Sequence, residues 1–463
     1  VPDRPLVVVS NRGPLSFTLA DDGSLRTRKA GGGLVNAIGP ALDGSAGEGQ
    51  ATDWIAAALS DADRVAARSG AVEADGYRLH SVLPDPDDYR QYYDVVSNRT
   101  LWFLHHGLWD AARSPVFDAA WWRAWDAYRR VNDAFADVVC DQAPEGAVAL
   151  VQDYHLALLG PALAEKRPDL AAIHFHHTPF APADALRVLP ERVARELFEG
   201  LAAYRACGFH SARWAANFEV GAEQVLGRVP LTFVSPAAAD ADDIRAVAAG
   251  EACATASAEL HAQVGERLLV VRVDRIELSK NIVRGFLAYD ELLRTRPEWR
   301  GRVTFGAFVY PSREGVPEYL QYRDEVEATI GRINAEWGTA DWTPILYDPG
   351  DDFPRSIAAL RRYDALLVNP IRDGLNLVAK EGPIVNERDG VLLLSPECGA
   401  WAELGDAAIE VPPYDVSATA EALHAALSMP ADARRRHADE VRRLATARTA
   451  HDWLGDQIRA AVS

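Results

Sequence analysis

Lysine is almost missing from this 463-residue chain: Lys29, Lys166, Lys280 and Lys380 are the only four among 48 basic residues. A lysine inside a polar motif is therefore informative here. Positive charge as a whole is in deficit, 48 Lys and Arg against 67 Asp and Glu, for a net charge of −19. That balance argues against nucleic acid or an anionic membrane as the main partner, yet it is compatible with one basic pocket for a small phosphate. Cysteine is scarce as well. Cys140, Cys207, Cys253 and Cys398 form no CxxC pair, which excludes a disulfide scaffold and fits a reducing compartment. No uninterrupted apolar run approaches about 18 residues, so no transmembrane helix is expected. No basic-then-apolar leader precedes Leu6, and the expected location is cytoplasmic. None of the four lysines follows a glycine, so the Walker pattern of a P-loop is absent.

What is present is an ordinary globular composition, 48% apolar and 25% charged. Short, largely apolar runs, not alternating with polar residues, recur at Leu6–Ser10, Ala147–Val151, Ala171–Phe175, Leu268–Val273, Val303–Val309, Ala365–Val368 and Val391–Leu394. Such runs suit strands buried on both faces of a parallel sheet. Between 316 and 338, Tyr319, Tyr322, Val326, Ile330, Ile333 and Trp337 make one helical stripe, with Pro317 in the first turn and Gly338 at the end. The alternation predicts an α/β fold of doubly wound, Rossmann-like domains. The small, polar stretch after Ser235 marks a boundary, giving domains over 1–235 and 236–445 and a C-terminal helix, 446–463, that returns to the first domain.

Four segments carry candidate chemistry. Gly31-Gly32-Gly33 could bring backbone amides close to a phosphate. His174, His176 and His177 form an HxHH group that could bind a metal, but no further ligands at familiar spacing accompany it, so no metal is expected. Arg275 and Lys280 stand just beyond an apolar strand, where two cations can clamp a diphosphate. The richest stretch is Ile371-Arg372-Asp373-Gly374-Leu375-Asn376-Leu377-Val378-Ala379-Lys380-Glu381-Gly382, a strand–loop–helix junction whose amides and dipole favour an anion. In it, Asp373 is suited to a hydroxyl of a transferred group. Glu381, about two helical turns on, is suited to two ribose hydroxyls.

These pieces occur together with Ser10-Asn11-Arg12, Tyr92-Tyr93, Ser97-Asn98, Leu101-Trp102, Asp153-Tyr154-His155, His177-Thr178-Pro179-Phe180, Ser312-Arg313 and Gly331-Arg332-Ile333-Asn334. In this order the chain resembles the trehalose-6-phosphate synthase family of retaining nucleotide-sugar glycosyltransferases. The resemblance implies GT-B architecture, two Rossmann-like domains facing a central cleft, acceptor-binding first and nucleotide-donor-binding second. It implies that Arg275, Lys280 and the backbone of Gly374, Leu375, Asn376, Leu377 and Val378 bind the donor diphosphate, with Gly31–Gly33 facing it. Glu381 would take the ribose, and Asp373 and His177 the transferred ring. Arg12, Tyr93, Trp102 and Arg313 would hold the acceptor's phosphate, and Asp153 its ring. The catalytic set is then Arg275, Lys280, His177, Asp153 and Asp373. No cofactor is required, although a loosely bound Mg²⁺ on the diphosphate is compatible, and a homodimer is expected.

The chain also departs from the family. The usual LWPxFHY is Leu101-Trp102-Phe103-Leu104-His105-His106-Gly107, the usual RLDYxKG is Arg275-Ile276-Glu277-Leu278-Ser279-Lys280-Asn281, His176 replaces an apolar residue, and Gly382-Pro383 follows Glu381. Phosphate grips kept while apparent ring walls change resemble the pseudo-glycosyltransferase branch of validamycin biosynthesis. That branch implies a GDP-cyclitol donor, GDP-valienol, coupled through a C–N bond to a phosphorylated aminocyclitol acceptor, validamine 7-phosphate. The alternatives are the parent reaction, glucose from a nucleotide-glucose to glucose 6-phosphate, and a catalytically silent regulatory subunit. Intact charges at the candidate site argue against the silent form. With no carboxylate nucleophile apparent, either reaction is expected to proceed by front-face substitution with retention.

Overall fold

An uninterrupted apolar run has no polar face to offer water, and each of these runs is covered on both sides. The computed structural model describes residues 4–20, 24–29, 38–39, 42, 51–68 and 70–463; Gly31, Gly32 and Gly33 lie outside them. The chain divides into two compact units, Val1–Ala237 with Ala450–Ser463, and Ala238–Thr449.

The first unit contains β1 (Leu6–Ser10), the hairpin β2 (Leu15–Leu19) and β3 (Leu25–Lys29), then β4 (Thr52–Ala57), β5 (Val72–Ala74), β6 (Tyr77–Val82), β7 (Val148–Gln152), β8 (Ala171–His176), β9 (Cys207–Phe209) and β10 (Thr232–Val234). Its main sheet runs β10-β9-β8-β7-β1-β4-β6-β5. All neighbours are parallel except β5 on β6. Every residue of β4, β7 and β8 is buried. The order reverses between β1 and β7, so the loops leaving their carboxyl ends diverge and open a crevice.

The second unit contains β11 (Leu268–Ile276), β12 (Val303–Pro311), β13 (Ile345–Asp348), β14 (Ala365–Val368), β15 (Val391–Leu394) and β16 (Ile409–Glu410). They form one parallel sheet in the order β13-β12-β11-β14-β15-β16. Counted from β11, this is the 3-2-1-4-5-6 order of a doubly wound dinucleotide fold, with its switch point between β11 and β14. The helix Pro317–Trp337 buries Tyr319, Val326, Ile330 and Ile333, as its stripe predicts. Tyr322 of the same helix accepts hydrogen bonds from the amides of Ile282 and Val283 and so ties it to the next layer.

The division falls a few residues from the boundaries expected at 235 and 445. Ser235 donates its hydroxyl to Asp456 at 2.7 Å, and the Ala237 amide donates to His210 Nδ1 at 3.2 Å, which keeps both residues on the first unit. The helix Ala450–Val462 packs on β7 and β8 through Trp453, Leu454 and Ile458, all buried. Trp453 meets Phe175 edge-on at 5.3 Å.

Removing so large a fully buried side chain leaves a cavity that the strands beneath cannot close. Trp453→Ala is expected to destabilise the first unit by about 3–5 kcal/mol. Chemical denaturation followed by amide exchange in β7 and β8 measures this, and a loss confined to the last helix would refute its role in the first unit's core.

Candidate active site

The two reversals of strand order are where the polar residues predicted from sequence collect, one cluster in each unit. In the second unit the cluster is organised by a residue the sequence reading passed over. Arg272 interrupts the apolar run of β11 and its side chain has no exposure. A guanidinium taken wholly from water must have its N–H groups satisfied. Arg272 donates to Asp274 at 2.9 Å, to the Lys280 carbonyl at 2.7 Å and to Asn369 Oδ1 at 2.5 Å. One charge thus ties the end of β11, the turn Leu278–Lys280 and the residue just beyond β14. A Cβ on Gly285 would stand 2.5 Å from Arg272 Nη1, so that position is held to glycine. Asn281, at φ 60, closes the turn and donates to the carbonyls of Asn369 and Pro413.

On this frame Lys280 reaches Asp373 at 2.7 Å and lies 3.5 Å from Asp274. Burial opposes its charge, but Asp373, Asp274 and Glu277 together outweigh burial and hold its pKa above the usual lysine range. Asp373 also accepts from Asn376 Nδ2 at 3.2 Å. The loop carrying them is stitched down: Ile371 donates its amide to Ser279, Asp373 to Glu397, and Gly399 and Ala400 donate back to Asp373 and Leu375. A Cβ on Gly399 would fall 1.8 Å from the Gly374 carbonyl, so two backbones meet there with no room for a side chain. The loop then enters the helix Val378–Val385. Lys380 points inward, almost wholly buried against Glu403 at 2.5 Å, and is structural. Glu381 is half-buried. Desolvation raises its pKa to about 7, with Lys280 pulling in the opposite direction.

Arg275, near the end of β11, has its side chain 43% exposed and its Nε 3.2 Å from Glu277. Arg313, grouped from sequence with the acceptor residues, belongs to this second unit and donates to the same Glu277 at 2.8 Å and to Tyr319 at 2.9 Å. The first domain, expected to be the acceptor-binding one, therefore does not carry every acceptor candidate.

In the first unit, Asn11 follows β1 and accepts from Tyr89 and Tyr92 at 3.1 Å each. The exposed Arg12 stands 3.4 Å from Tyr93, which stacks on His155 at 5.9 Å. Tyr92 and Tyr93 lie on a π-helical stretch, Gln91–Leu101, a rare winding that recurs at functional sites. Trp102 is buried and stacked 3.9 Å from His106. Asp153 adopts φ 72 beyond β7 and its Oδ1 accepts from the amides of Tyr154 and His177.

His177 is held by both ring nitrogens, and one obligatory donor sets the tautomers. The Ala237 amide can only donate, so His210 Nδ1 accepts and its Nε2 carries the proton. That proton points at His177 Nδ1, 3.2 Å away, which places the His177 proton on Nε2, 2.8 Å from Gln152 Oε1. Gln152 Nε2 continues the chain to Gln457 Oε1 at 3.2 Å. Burial, helped by His174, lowers the His177 pKa to about 3, so the ring is neutral. The expected contact of the His177 ring with a transferred sugar therefore requires one of these partners to give way. His174 and His176 are buried too. The first lies 3.0 Å from the Asp153 carbonyl and the second 2.8 Å from the Thr178 hydroxyl. Among the described residues no group of three or more His, Cys, Asp or Glu is placed to hold a metal ion, and no helix is long and apolar enough to cross a membrane.

Of the residues that depart from the family pattern, Phe103, His105 and His176 are buried, Leu278 is half-buried and Gly107 is exposed. His105 meets His176 edge-on at 4.8 Å and accepts from the Ala181 amide. Gly107 sits at φ 66, closing the helix Trp102–His106, where an aromatic residue would be strained. A Cβ on Gly382 would approach Leu366 to 2.4 Å.

Comparison with known proteins shows the family and the fold. The profile of glycosyltransferase family 20 matches residues 4–462. The bifunctional trehalose-6-phosphate synthase/phosphatase of Thermoproteus tenax is 33% identical over 99% of this chain, which spans 63% of that protein. The trehalose-6-phosphate synthase of Mycolicibacterium smegmatis is 32% identical, over 96% of this chain and 90% of that protein. Among solved structures, an α,α-trehalose-phosphate synthase (UDP-forming) from Burkholderia xenovorans in complex with glucose 6-phosphate superposes with a TM-score of 0.85 at 28% identity, covering 99% of this chain and 100% of that one. An E. coli structure bound with UDP-2-fluoro glucose has a TM-score of 0.85 at 27% identity, covering 99% and 98%. The α/β fold with parallel sheets is thus that of the GT-B trehalose-phosphate synthases.

The raised pKa of Glu381 carries a stability signature. In the unfolded chain this carboxyl loses its proton near the ordinary glutamate value, whereas the folded protein keeps it up to about 7. The stabilisation is complete below the unfolded value and is lost as pH rises through about 7. Glu381→Gln should therefore gain stability relative to the parent between pH 5 and pH 8. Melting curves at both pH values test this, and equal differences at the two would disprove the shift.

Proposed function

The chain belongs to glycosyltransferase family 20, and from that premise we propose that it transfers glucose, with retention, from a nucleotide-glucose to glucose 6-phosphate, yielding trehalose 6-phosphate. The observation that carries this reading is the cation cluster at the β11/β14 switch point, where Arg275 and Lys280 stand at the carboxyl ends of a parallel sheet in a chain of net charge −19. The named activities of the relatives support it. In the reaction, Arg275 and Lys280 offset the charge that develops on the departing diphosphate, the preorganised electrostatic contribution that is usually largest. The amides of Gly374–Val378 face that diphosphate, and Glu381 accepts the ribose hydroxyls. Asp373 and His177 hold the glucose ring and Asp153 the acceptor ring. Arg12, Tyr93, Trp102 and Arg313 orient the acceptor through its phosphate.

Retention then follows front-face substitution. Three carboxylates of the second unit's cluster are each engaged by a cation: Asp274 by Arg272, Asp373 by Lys280, and Glu277 by Arg275 and Arg313. None is poised as a nucleophile. The acceptor hydroxyl attacks from the side on which the diphosphate leaves, and a departing phosphate oxygen takes its proton. No metal is needed, because Arg275 and Lys280 supply the positive charge.

The second reading is C–N coupling of GDP-valienol to validamine 7-phosphate, the activity of a validoxylamine A 7′-phosphate synthase. It rests on altered residues at Phe103–Gly107, Glu277–Asn281 and His176. Of the altered residues Phe103, His105, His176, Glu277 and Asn281 are buried, while Leu278 and Gly107 are not, and the named activities of the relatives favour the parent reaction. A product assay with UDP- and GDP-glucose plus glucose 6-phosphate, beside GDP-valienol plus validamine 7-phosphate, separates the two. Trehalose 6-phosphate without a cyclitol product is expected; the reverse pattern would overturn the proposal. Arg275→Ala and Lys280→Ala should each lower turnover about 10²–10³-fold with the fold intact. Near-normal turnover in both variants, with circular dichroism unchanged, would remove the diphosphate clamp.

A further inference from the structure

The preceding reading assigns Arg275 to the donor diphosphate and Arg313 to the acceptor phosphate, and it leaves unexplained the carboxylate between them. Glu277 follows β11 and its side chain is wholly buried. Its Oε1 accepts from Arg313 Nη1 at 2.8 Å and from the Ser312 hydroxyl at 3.1 Å, and lies 3.2 Å from Arg275 Nε. One oxygen thus joins two guanidiniums that belong to different substrates. The neighbouring carboxylates do not share this task, since Asp274 is tied to Arg272 and Asp373 to Lys280. Arg313 is constrained further: its backbone sits at φ 50, costly for any residue but glycine, and its guanidinium lies 5.4 Å from the Tyr319 ring centre.

Affinity does not account for Glu277. A carboxylate beside two anion grips repels both ligands and weakens their binding. What it supplies is geometry. Two guanidiniums repel one another, and without a shared anion they would splay; with it, the spacing and aim of both are fixed before any ligand arrives. We propose, resting on the functional reading above, that Glu277 is a positioning residue that sets the distance between the donor-diphosphate grip and the acceptor-phosphate grip.

The test is Glu277→Gln, which keeps shape and removes charge, with kcat measured beside calorimetric binding of UDP, GDP and glucose 6-phosphate. The expected result is a fall in kcat of about 10–100-fold. The affinities for nucleotide and glucose 6-phosphate should meanwhile stay within about threefold of the parent or become tighter, because a repelling charge has gone. Glu277→Asp keeps the charge but withdraws it by one methylene, and should recover part of kcat; it also serves if the glutamine variant does not fold. In an Arg313→Ala background the Glu277→Gln change should cost less than about threefold, since one of the two spaced groups is absent. Parental kcat in Glu277→Gln overturns the proposal. So does a loss of both affinities in step with kcat with no recovery in Glu277→Asp, the pattern of a merely structural carboxylate. If the parent protein binds neither nucleotide nor glucose 6-phosphate, the functional reading falls and takes this proposal with it. If the parent binds both and turns over while Glu277→Gln behaves as the parent does, only this proposal falls.

Discussion

A guanidinium without access to water is the constraint from which the second unit's site follows. Arg272 could not be buried in a strand of valines unless its donors were met, and its partners come from three separate segments. Loss of any one would strand a charge in an apolar layer, so the partners are as fixed as the charge. Lys280, Asp373 and Glu277 stand on those segments or beside them. The arrangement of the cations is therefore set by desolvation inside the sheet, before any ligand is considered. Gly285 completes the logic, because any side chain there would occupy the space of the Arg272 fork.

The first unit solves a similar problem without charge. Burial holds His174, His176 and His177 neutral, and the chain from the Ala237 amide through His210, His177 and Gln152 to Gln457 has one direction only, because a backbone amide cannot accept. A neutral, fully oriented ring suits contact with uncharged hydroxyls, as the cation cluster suits phosphate. The two networks differ in kind: paired charges around Arg272 and Lys280 in the second unit, oriented neutral dipoles around His177 in the first. Both cost little reorganisation at the moment of reaction, which is how preorganised polar groups act.

The departures from the family pattern show how a substituted motif can mislead. Two of the changed residues, His105 and His176, meet edge-on, and His105 also packs on Phe180. Changes that answer each other inside a core conserve volume and pairing. Such compensation is invisible in a motif, where each position is read alone.

Much of the fold is legible in the chain itself. The runs Leu6–Ser10, Ala365–Val368 and Val391–Leu394 become strands at those residues, because a segment apolar on both faces has one stable environment. The location of Lys280 and Asp373 beyond strands is legible for the same reason, since polar residues cluster where an apolar run ends. Arg275, expected beyond the strand as well, lies within β11 near its end. What the sequence could not assign is partnership. That Arg313 shares a carboxylate with Arg275, that the His177 ring is engaged at both nitrogens, and that Arg272 is the hub of its unit all depend on residues far apart in the chain. Arg272 and Asn369 are 97 positions apart, and Gln152 and Gln457 are 305 apart. Local periodicity reports which side of an element is buried. Only closing the sheets decides which buried polar group each donor meets, since that choice is made by desolvation across the core.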